Sequence, residues 1–344
     1  MKYKLAFIGF GVVGQGLTEI LLEKKELLLK KYDFDYTVVA ISDLMKGSVY
    51  NQNGLDMKKI LSLVKNGKKI DEYPSGVKGL NSIDTIKNTN ADVIIEITYT
   101  DVKTGQPALE HIHTAIESGK HIVSTNKGPV VKEVSSLVKK ASEHNVHYGF
   151  EGVVLAGTPV INLVKYTLAG NNITGFKGIL NGTTNYILTR MEGGMSYDDA
   201  LKKAQELGYA EADPTGDVEG LDALGKVVIL TNVVLEKQIS WEDVKRKGIT
   251  SITKEDIKNA QKEGKRWKLI GSAVINSDGS IDAKVEPVKL DLTDPLAGVN
   301  EAINALTFTT DELGSVTIVG PGAGKRETGY ALLIDLLEIN RIGK

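Results

Sequence analysis

A cluster of acidic side chains ends in a lysine in the segment GYAEADPTGDVEGLDALGK, residues 208–226. Its carboxylates are those of Glu211, Asp213, Asp217, Glu219 and Asp222, and the lysine is Lys226. Because Asp222 and Lys226 are four residues apart, they share one face of a helix. The apolar run VVILTNVV after Lys226 indicates a mostly buried helix, and a buried ammonium needs a charged partner. We therefore expect a functional Asp–Lys pair, with an exposed i,i+4 surface pair as the alternative.

A second lysine, Lys127 in STNKGP, directly follows a predicted strand, HIVSTN. In an open α/β sheet, ligands bind beyond the carboxyl ends of the strands. Lys127 is therefore a candidate active-site residue, and an ordinary loop lysine is the alternative.

A glycine-rich turn near the N-terminus, GFGVVG, fits the G-x-G-x-x-G pattern and lies between a predicted strand and a predicted helix. In such a turn the first glycine allows a tight bend, the second lets a pyrophosphate approach the backbone, and the third allows close packing of helix and strand. The N–H groups that begin the helix would bind the pyrophosphate. The predicted dinucleotide-binding residues are Gly9, Gly11, Val12, Val13 and Gly14. A flavodoxin-like fold with a glycine-rich turn is the alternative.

An acidic residue, Asp43, ends the second predicted strand, where a carboxylate would bind the adenosine ribose. It lies 29 residues after Gly14, which is longer than the usual spacing of about 20 residues. The long first helix and the YDFDY connection account for the excess. Asp43 favours NAD, but Lys46 is close enough to meet a 2′-phosphate, so the choice between NAD and NADP stays open at this point.

Strands and helices alternate over the first 150 residues, which predicts an α/β fold with a doubly wound, Rossmann-type parallel sheet. The run VVGQGLTEILLEKKELLLKK predicts one long helix. After residue 150, short strands surround a helical block from Ser196 to about Lys268, and NSDGS predicts a hairpin turn. The final strand, glycine turn and helix resemble the first half. We therefore predict a dinucleotide-binding domain of residues 1–150 rejoined by 319–344, and a mixed α+β domain of residues 151–318 for substrate binding and dimerisation.

Composition excludes several classes of function. The net charge of −2 gives no electrostatic reason for binding nucleic acid or an anionic membrane. The absence of cysteine excludes disulfides, thiolate catalysis and cysteine-bound zinc. The five histidines form no pattern of metal ligands, and no apolar run reaches the length of about 18 residues that a membrane span requires. We predict a cytoplasmic protein.

Six motifs together resemble the homoserine dehydrogenase family and extend over nearly the whole chain: FIGFGVVGQG, STNKGP, FEGVVLAGTP, LNGTTNYIL, LGYAEADPTGDVEGLDALGK and GPGAGKRETG. The acid-rich segment is the most specific of them. The resemblance implies the interconversion of L-homoserine and L-aspartate 4-semialdehyde with NAD or NADP, a role in threonine and methionine biosynthesis, and a homodimer. The chain ends about 20 residues after GPGAG, so we expect neither a regulatory domain nor a fused kinase.

The resemblance also implies roles for individual residues. Lys226 matches the proton donor, Asp222 its helical neighbour at the reacting oxygen, and Lys127 a second active-site lysine beside the nicotinamide. The implied substrate-binding residues are Glu211, Tyr209, Thr183 and Asp217, although Asp217 could instead cap a helix N-terminus. Further implied cofactor contacts are Thr98, Thr100, Lys127 and Gly324. Main-chain carbonyls of Glu151, Val154, Ala156 and Thr158 match a site for a monovalent cation such as sodium. Residues 51–80 match no motif.

The proposed chemistry suits these residue types, because hydride transfer to an aldehyde leaves charge on its oxygen that a lysine ammonium can stabilise and protonate. An aspartate dehydrogenase would share the glycine turn but would not need the Asp222–Lys226 pair. A dinucleotide sensor without catalytic activity would bind NAD and oxidise no amino alcohol. Dehydrogenases with a cysteine nucleophile are excluded.

Overall fold

The chain divides into two structural units in a computed structural model that describes residues 2–343. The first comprises Met1–Gly157 and Gly324–Lys344, and the second comprises Thr158–Ala323. Among the described residues, no helix is both long and apolar enough to cross a membrane.

The first unit is built on a seven-stranded sheet with the order β4-β3-β2-β1-β5-β6-β7. Its strands are β1 Lys2–Ile8, β2 Asp35–Asp43, β3 Gly47–Tyr50, β4 Val77–Lys78, β5 Val93–Glu96, β6 His121–Ser124 and β7 Tyr148–Gly149. Its helices are α1 Val12–Glu23, α2 Lys25–Tyr32, α3 Met57–Lys65, α4 Ser82–Asn88, α5 Ala108–Glu117, α6 Lys127–Glu143 and, from the end of the chain, α12 Lys325–Ile342. Strands β2, β1, β5, β6 and β7 are parallel, so that their carboxyl ends form one edge.

Two expectations for this unit were wrong in part. The sheet is mixed rather than wholly parallel, because β3 and β4 add antiparallel strands beside β2. Only three residues connect β2 to β3, and so short a connection joins antiparallel strands. The expected single long helix is two helices, α1 and α2, with the chain turning at Lys24 (φ −99°, ψ 8°). Neither glycine nor proline marks this turn in the sequence.

The second unit contains a six-stranded sheet with the order β13-β12-β8-β10-β11-β9. Its strands are β8 Ile173–Ile179, β9 Val244–Arg246, β10 Lys265–Ile275, β11 Ile281–Asp291, β12 Ile303–Thr310 and β13 Gly314–Pro321. Its α-helices are α7 Gly182–Glu192, α8 Tyr197–Glu206, α9 Thr215–Val218, α10 Leu221–Val234 and α11 Lys254–Lys262. The hairpin predicted at NSDGS joins β10 to β11, with Ile275 opposite Ile281.

The block expected to be helical is less uniform than its sequence pattern suggested. Strand β9 interrupts it, and β10 begins at Lys265 before the expected end of the block. Helix α7 and strand β12 were not predicted. The helix that carries Lys226 begins only at Leu221, because Gly220 has a left-handed conformation (φ 78°) and separates α9 from α10.

A buried lysine in β10 stabilises the loop before β12. The Lys268 ammonium donates to the Val299 carbonyl oxygen at 2.6 Å and to the Asn185 and Asn300 side chains at 3.0 and 3.3 Å. The side chain is fully buried, and burial lowers the pKa of Lys268 from 10.5 to about 8.

This pKa predicts a pH-dependent stability. Between about pH 8 and 10.5 the unfolded chain binds more protons at this lysine than the folded chain, so stability rises with pH in that interval. Replacing Lys268 by Met removes the linkage, which amounts to about 3 kcal/mol. We expect the stability of Lys268→Met relative to the parent to fall by that order between about pH 7 and pH 10, measured by urea unfolding. The exposed Lys262→Met variant is the control, and an equal change in both variants would contradict the linkage.

Candidate functional site

Lys226 is a buried cation with an acidic partner in the second unit. Its side chain is 6% exposed, and its ammonium donates to Asp222 Oδ2 at 2.8 Å and to the Leu180 carbonyl oxygen at 2.6 Å. One turn of α10 separates the two side chains, which is the geometry that their spacing predicts. The apolar residues after Lys226 bury the helix, so the pair is not an exposed surface contact.

Asn181 joins two of the acidic residues. Its amide nitrogen donates to Asp217 Oδ1 at 2.7 Å and to Asp222 Oδ2 at 3.0 Å. Asn181 also caps α7, since its side-chain oxygen accepts from the Thr184 backbone N–H at 2.9 Å. This residue was missed in the sequence, where an asparagine before a helix signalled only a cap.

Asp217 lies in the first turn of α9 and also belongs to this hydrogen-bonded group. Burial raises the pKa of the Asp217 carboxyl, and repulsion from Asp222 adds to that effect. The hydrogen bond from Asn181 acts in the opposite direction. Two carboxylates therefore lie around one amide and one ammonium, so that a change in either carboxylate alters the electrostatic environment of the ammonium.

The other expected substrate-binding residues, Thr183, Tyr209 and Glu211, differ in their contacts and in their exposure to solvent. The Thr183 hydroxyl donates to the Tyr209 carbonyl oxygen at 2.6 Å, which connects α7 to the acid-rich loop. The Tyr209 ring is half exposed. Glu211 is exposed, and its main-chain oxygen accepts a bond from Gln205 at 3.1 Å. The structure thus brings Lys226 and Asp222 into contact and joins Asp217 to them through Asn181, whereas Glu211 is exposed.

Two other acidic residues of the segment, Asp213 and Glu219, make local contacts. Asp213 Oδ1 accepts from the Thr215 N–H and hydroxyl, which closes the turn before α9. Glu219 is partly exposed and pairs with Arg246 at 3.6 Å.

The glycine turn of the first unit joins β1 to α1. Gly9 adopts φ 90°, and a β-carbon there would lie 2.6 Å from the Ile97 carbonyl oxygen. A β-carbon on Gly11 would meet no protein atom within 4 Å. Helix α1 begins after Gly11 without a side-chain cap, and Val12 is 64% exposed. The turn therefore presents backbone N–H groups to open space, which fits a bound pyrophosphate.

Asp43 is fixed beside this turn. Its Oδ2 accepts from the Phe10 N–H at 2.7 Å, and its Oδ1 accepts from the Met45 and Lys46 N–H groups at 3.0 and 2.8 Å. The Lys46 ammonium lies 3.8 Å from Asp43 Oδ2. The carboxylate thus has a set orientation, with hydrogen-bonding capacity left for a ribose hydroxyl.

The remaining expected cofactor contacts lie after β5, after β6 and at the start of the returning segment. Thr98 donates its hydroxyl to Glu96, and Thr100 is exposed. Lys127 is the first residue of α6, after the cap Asn126, and is half-buried. Gly324 immediately precedes α12 with φ 133°. Thr98 and Lys127 are therefore both at the carboxyl edge of the sheet, where ligands of such sheets bind.

The segment expected to bind a cation has an unusual backbone. Residues 151–156 are buried, and Ala156 adopts a left-handed conformation with φ 47°. The Glu151 N–H donates to Asp335 at 3.1 Å, and the Thr158 hydroxyl donates to the Pro321 carbonyl oxygen at 3.0 Å. Among residues 2–343, no three acidic or histidine side chains group as in a side-chain metal site. Main-chain carbonyls are the groups here that suit a hard monovalent cation.

Comparisons with known proteins agree over nearly the whole chain. The family model described as homoserine dehydrogenase matches residues 159–337, and that described as homoserine dehydrogenase, NAD binding domain, matches residues 9–151. The NAD(+)-dependent homoserine dehydrogenase of Pseudomonas canavaninivorans is 46% identical over 341 residues, with 99% of this chain and 97% of that protein covered.

Two solved structures have the same fold. One, provisionally named a homoserine dehydrogenase, comes from Archaeoglobus fulgidus and aligns with a TM-score of 0.86 at 38% identity over 98% of this chain and 99% of that chain. The other is a hyperthermophilic archaeal homoserine dehydrogenase mutant in complex with NADPH, with a TM-score of 0.84, 28% identity and coverage of 99% and 98%.

Proposed function

The chain belongs to the homoserine dehydrogenase family, and we propose that Lys226 transfers the proton in its reaction. The activity of the family is NAD(P)-dependent oxidoreduction of homoserine, a step of amino-acid biosynthesis. The observation that supports the role of Lys226 is its buried ammonium, which Asp222 and the Leu180 carbonyl oxygen position.

Proton transfer by Lys226 accompanies transfer of a hydride between the substrate carbon and the nicotinamide. In the direction of reduction, the Lys226 ammonium donates a proton to the aldehyde oxygen as negative charge develops there. In the direction of oxidation, the neutral amine accepts the hydroxyl proton. Asp222 lies 2.8 Å from the ammonium and favours its charged form.

Lys127 is proposed as the second active-site lysine. It begins α6 at the carboxyl edge of the parallel strands, and its charge would stabilise the developing oxyanion. Thr98 and Thr100, together with Gly324, Asp43 and the glycine turn, are the proposed cofactor contacts.

The substrate's amino-acid group is proposed to bind Thr183, Tyr209, Glu211 and Asp217. The Thr183–Tyr209 hydrogen bond holds two of these residues close together. The exposed Glu211 carboxylate is available to pair with the substrate ammonium. Asp217 is already bonded to Asn181, so its contribution would be to position that amide and Asp222.

NAD is the proposed preferred cofactor. Three backbone N–H groups fix the Asp43 carboxylate, so it cannot turn away from a 2′-phosphate without losing them. Repulsion between the two anions disfavours NADP. Lys46 reduces this repulsion but is itself paired with Asp43.

The segment from Glu151 to Ala156 is proposed to bind a monovalent cation through the main-chain carbonyls of Glu151, Val154 and Ala156, with Thr158 as the fourth ligand. Burial and the left-handed Ala156 support this proposal, because such a backbone can direct several carbonyls to one point.

We also propose that the chain forms a homodimer in the cytoplasm. Strand β13 is an edge of its sheet with Val319 half exposed, and such an edge can pair with a second copy.

The proposed function is tested by following NADH or NADPH absorbance with L-homoserine and with L-aspartate. We expect oxidation of homoserine with either cofactor, a higher kcat/KM with NAD, and no turnover of aspartate. Turnover of aspartate but not of homoserine would support the alternative that the protein is an aspartate dehydrogenase. Binding of NADH by folded protein without turnover of either substrate would support a sensor.

A further inference from the structure

A buried carboxylate lies at the end of β5, the strand beside β1. Glu96 is fully buried, and its register neighbours are Ile8 at the end of β1 and Ser124 at the end of β6. Burying a carboxylate away from solvent is strongly unfavourable unless its oxygens accept hydrogen bonds, so the contacts of Glu96 indicate what it does.

The first Glu96 oxygen holds the loop after β5. Oε1 accepts the Thr98 hydroxyl and the Thr98 N–H, the latter at 3.2 Å. His111 Nδ1, from α5, is 3.4 Å from the same oxygen. The Thr98 nitrogen is in turn packed on the glycine turn, since a β-carbon on Gly9 would lie 3.1 Å from it. Glu96 thereby fixes the loop against the predicted pyrophosphate site.

The second oxygen holds the turn that carries Lys127. Oε2 accepts the Ser124 hydroxyl at 3.0 Å, and the Ser124 oxygen accepts the Asn126 N–H, also at 3.0 Å. The Asn126 side chain then connects both loops, because its amide nitrogen donates to the Tyr99 carbonyl oxygen at 3.0 Å and its oxygen accepts the Gly128 N–H at 3.2 Å. One carboxylate therefore links the loop of Thr98 to the first turn of α6.

We infer that Glu96 is a positioning residue for the cofactor-binding loop and for Lys127. An apolar side chain would fill the same volume without the cost of burying a charge, but it would accept none of these bonds. Glu96 would act through Thr98, Ser124 and Asn126 rather than by contact with the substrate. The inference rests on the proposed roles of Thr98 and Lys127.

The surroundings of Glu96 include two further titratable groups. His111 lies within 3.4 Å, as above, and Tyr148 of β7 is buried nearby. Burial, with the charges of Glu96 and Asp335, raises the pKa of Tyr148 well above its ordinary value, so the phenol stays neutral.

The test uses Glu96→Gln, which keeps the shape of the side chain but removes its charge and part of its capacity to accept hydrogen bonds. We expect kcat/KM for homoserine to fall by about 10-fold to 100-fold, as for small displacements of catalytic groups, with weaker NADH binding and a nearly unchanged Tm. Glu110→Gln makes the same chemical change at an exposed position of α5 and should match the parent.

A double-mutant cycle with Ser124→Ala separates positioning from general damage. Ser124→Ala breaks the link to Asn126, so we expect it to lower activity and to combine non-additively with Glu96→Gln. If Glu96→Gln does not fold, Ser124→Ala alone tests the link by the same loss of kcat/KM. Parental activity of Glu96→Gln, additive effects in the cycle, or losses that follow Tm would overturn the inference.

Lys127→Ala distinguishes this inference from the proposed function. A large loss in Lys127→Ala with none in Glu96→Gln overturns the positioning role alone. Parental activity in Lys127→Ala overturns the proposed role of Lys127, and with it the positioning inference.

Discussion

Lys226→Ala is expected to lower kcat for homoserine oxidation by about 10³-fold, the contribution typical of a well-placed acid or base. The variant loses the ammonium that Asp222 and the Leu180 carbonyl oxygen hold in place. NADH affinity should remain that of the parent, because the proposed cofactor contacts Gly9, Gly11 and Asp43 belong to the first unit. Steady-state rates and a fluorescence titration with NADH measure the two effects separately.

The control for Lys226→Ala is Lys268→Met, which removes another buried ammonium from the same unit. Its kcat should stay close to the parental value, since Lys268 holds the Val299 loop and not the acid-rich segment. A similar loss in both variants would indicate damage to the unit rather than to proton transfer. A collapse of NADH affinity in Lys226→Ala would contradict its assignment.

Gly11→Val should weaken NADH binding by about 100-fold, which corresponds to about 2.8 kcal/mol. A β-carbon at Gly11 meets no protein atom within 4 Å and needs no unusual φ, so the fold tolerates it. The added side chain instead occupies the space that the pyrophosphate needs. Titration with NADH and thermal unfolding should show lost affinity with an unchanged Tm.

Gly298→Val is the matched control for Gly11→Val, because a β-carbon at Gly298 also meets open space. We expect parental NADH affinity and parental Tm from it. Unchanged NADH binding in Gly11→Val would show that the pyrophosphate does not lie on this turn, whereas a large loss of Tm would show that the glycine serves the fold.

Local patterns predicted the parts of the fold and the site that depend on residues close in sequence. The spacing of the glycines predicted the turn at Gly9, which adopts φ 90°. The helical repeat predicted the contact between Asp222 and Lys226. The alternation of strands and helices predicted the Rossmann-type first unit, and the short strands around a helical block predicted a mixed α+β second unit.

Contacts between distant segments were not predictable in this way. Asn181 reaches Asp217 and Asp222 from 36 and 41 residues away, and no local rule connects an N-cap to those acids. Strand β12 lacks alternating polarity because seven of its eight residues are at least partly buried. Glu96 left one signal, a charged residue at the end of the apolar strand VIIE, and the meaning of that signal depends on Ser124 and Thr98.

The most direct test of proton transfer by Lys226 is a single-turnover experiment that follows NADH appearance after mixing the enzyme and NAD with L-homoserine. We predict that hydride transfer slows in Lys226→Ala by the same factor as kcat, and that homoserine deuterated at the reacting carbon then shows a full primary isotope effect on kcat. Hydride transfer at the parental rate, followed by slow product release, would contradict the role of Lys226 in the chemical step.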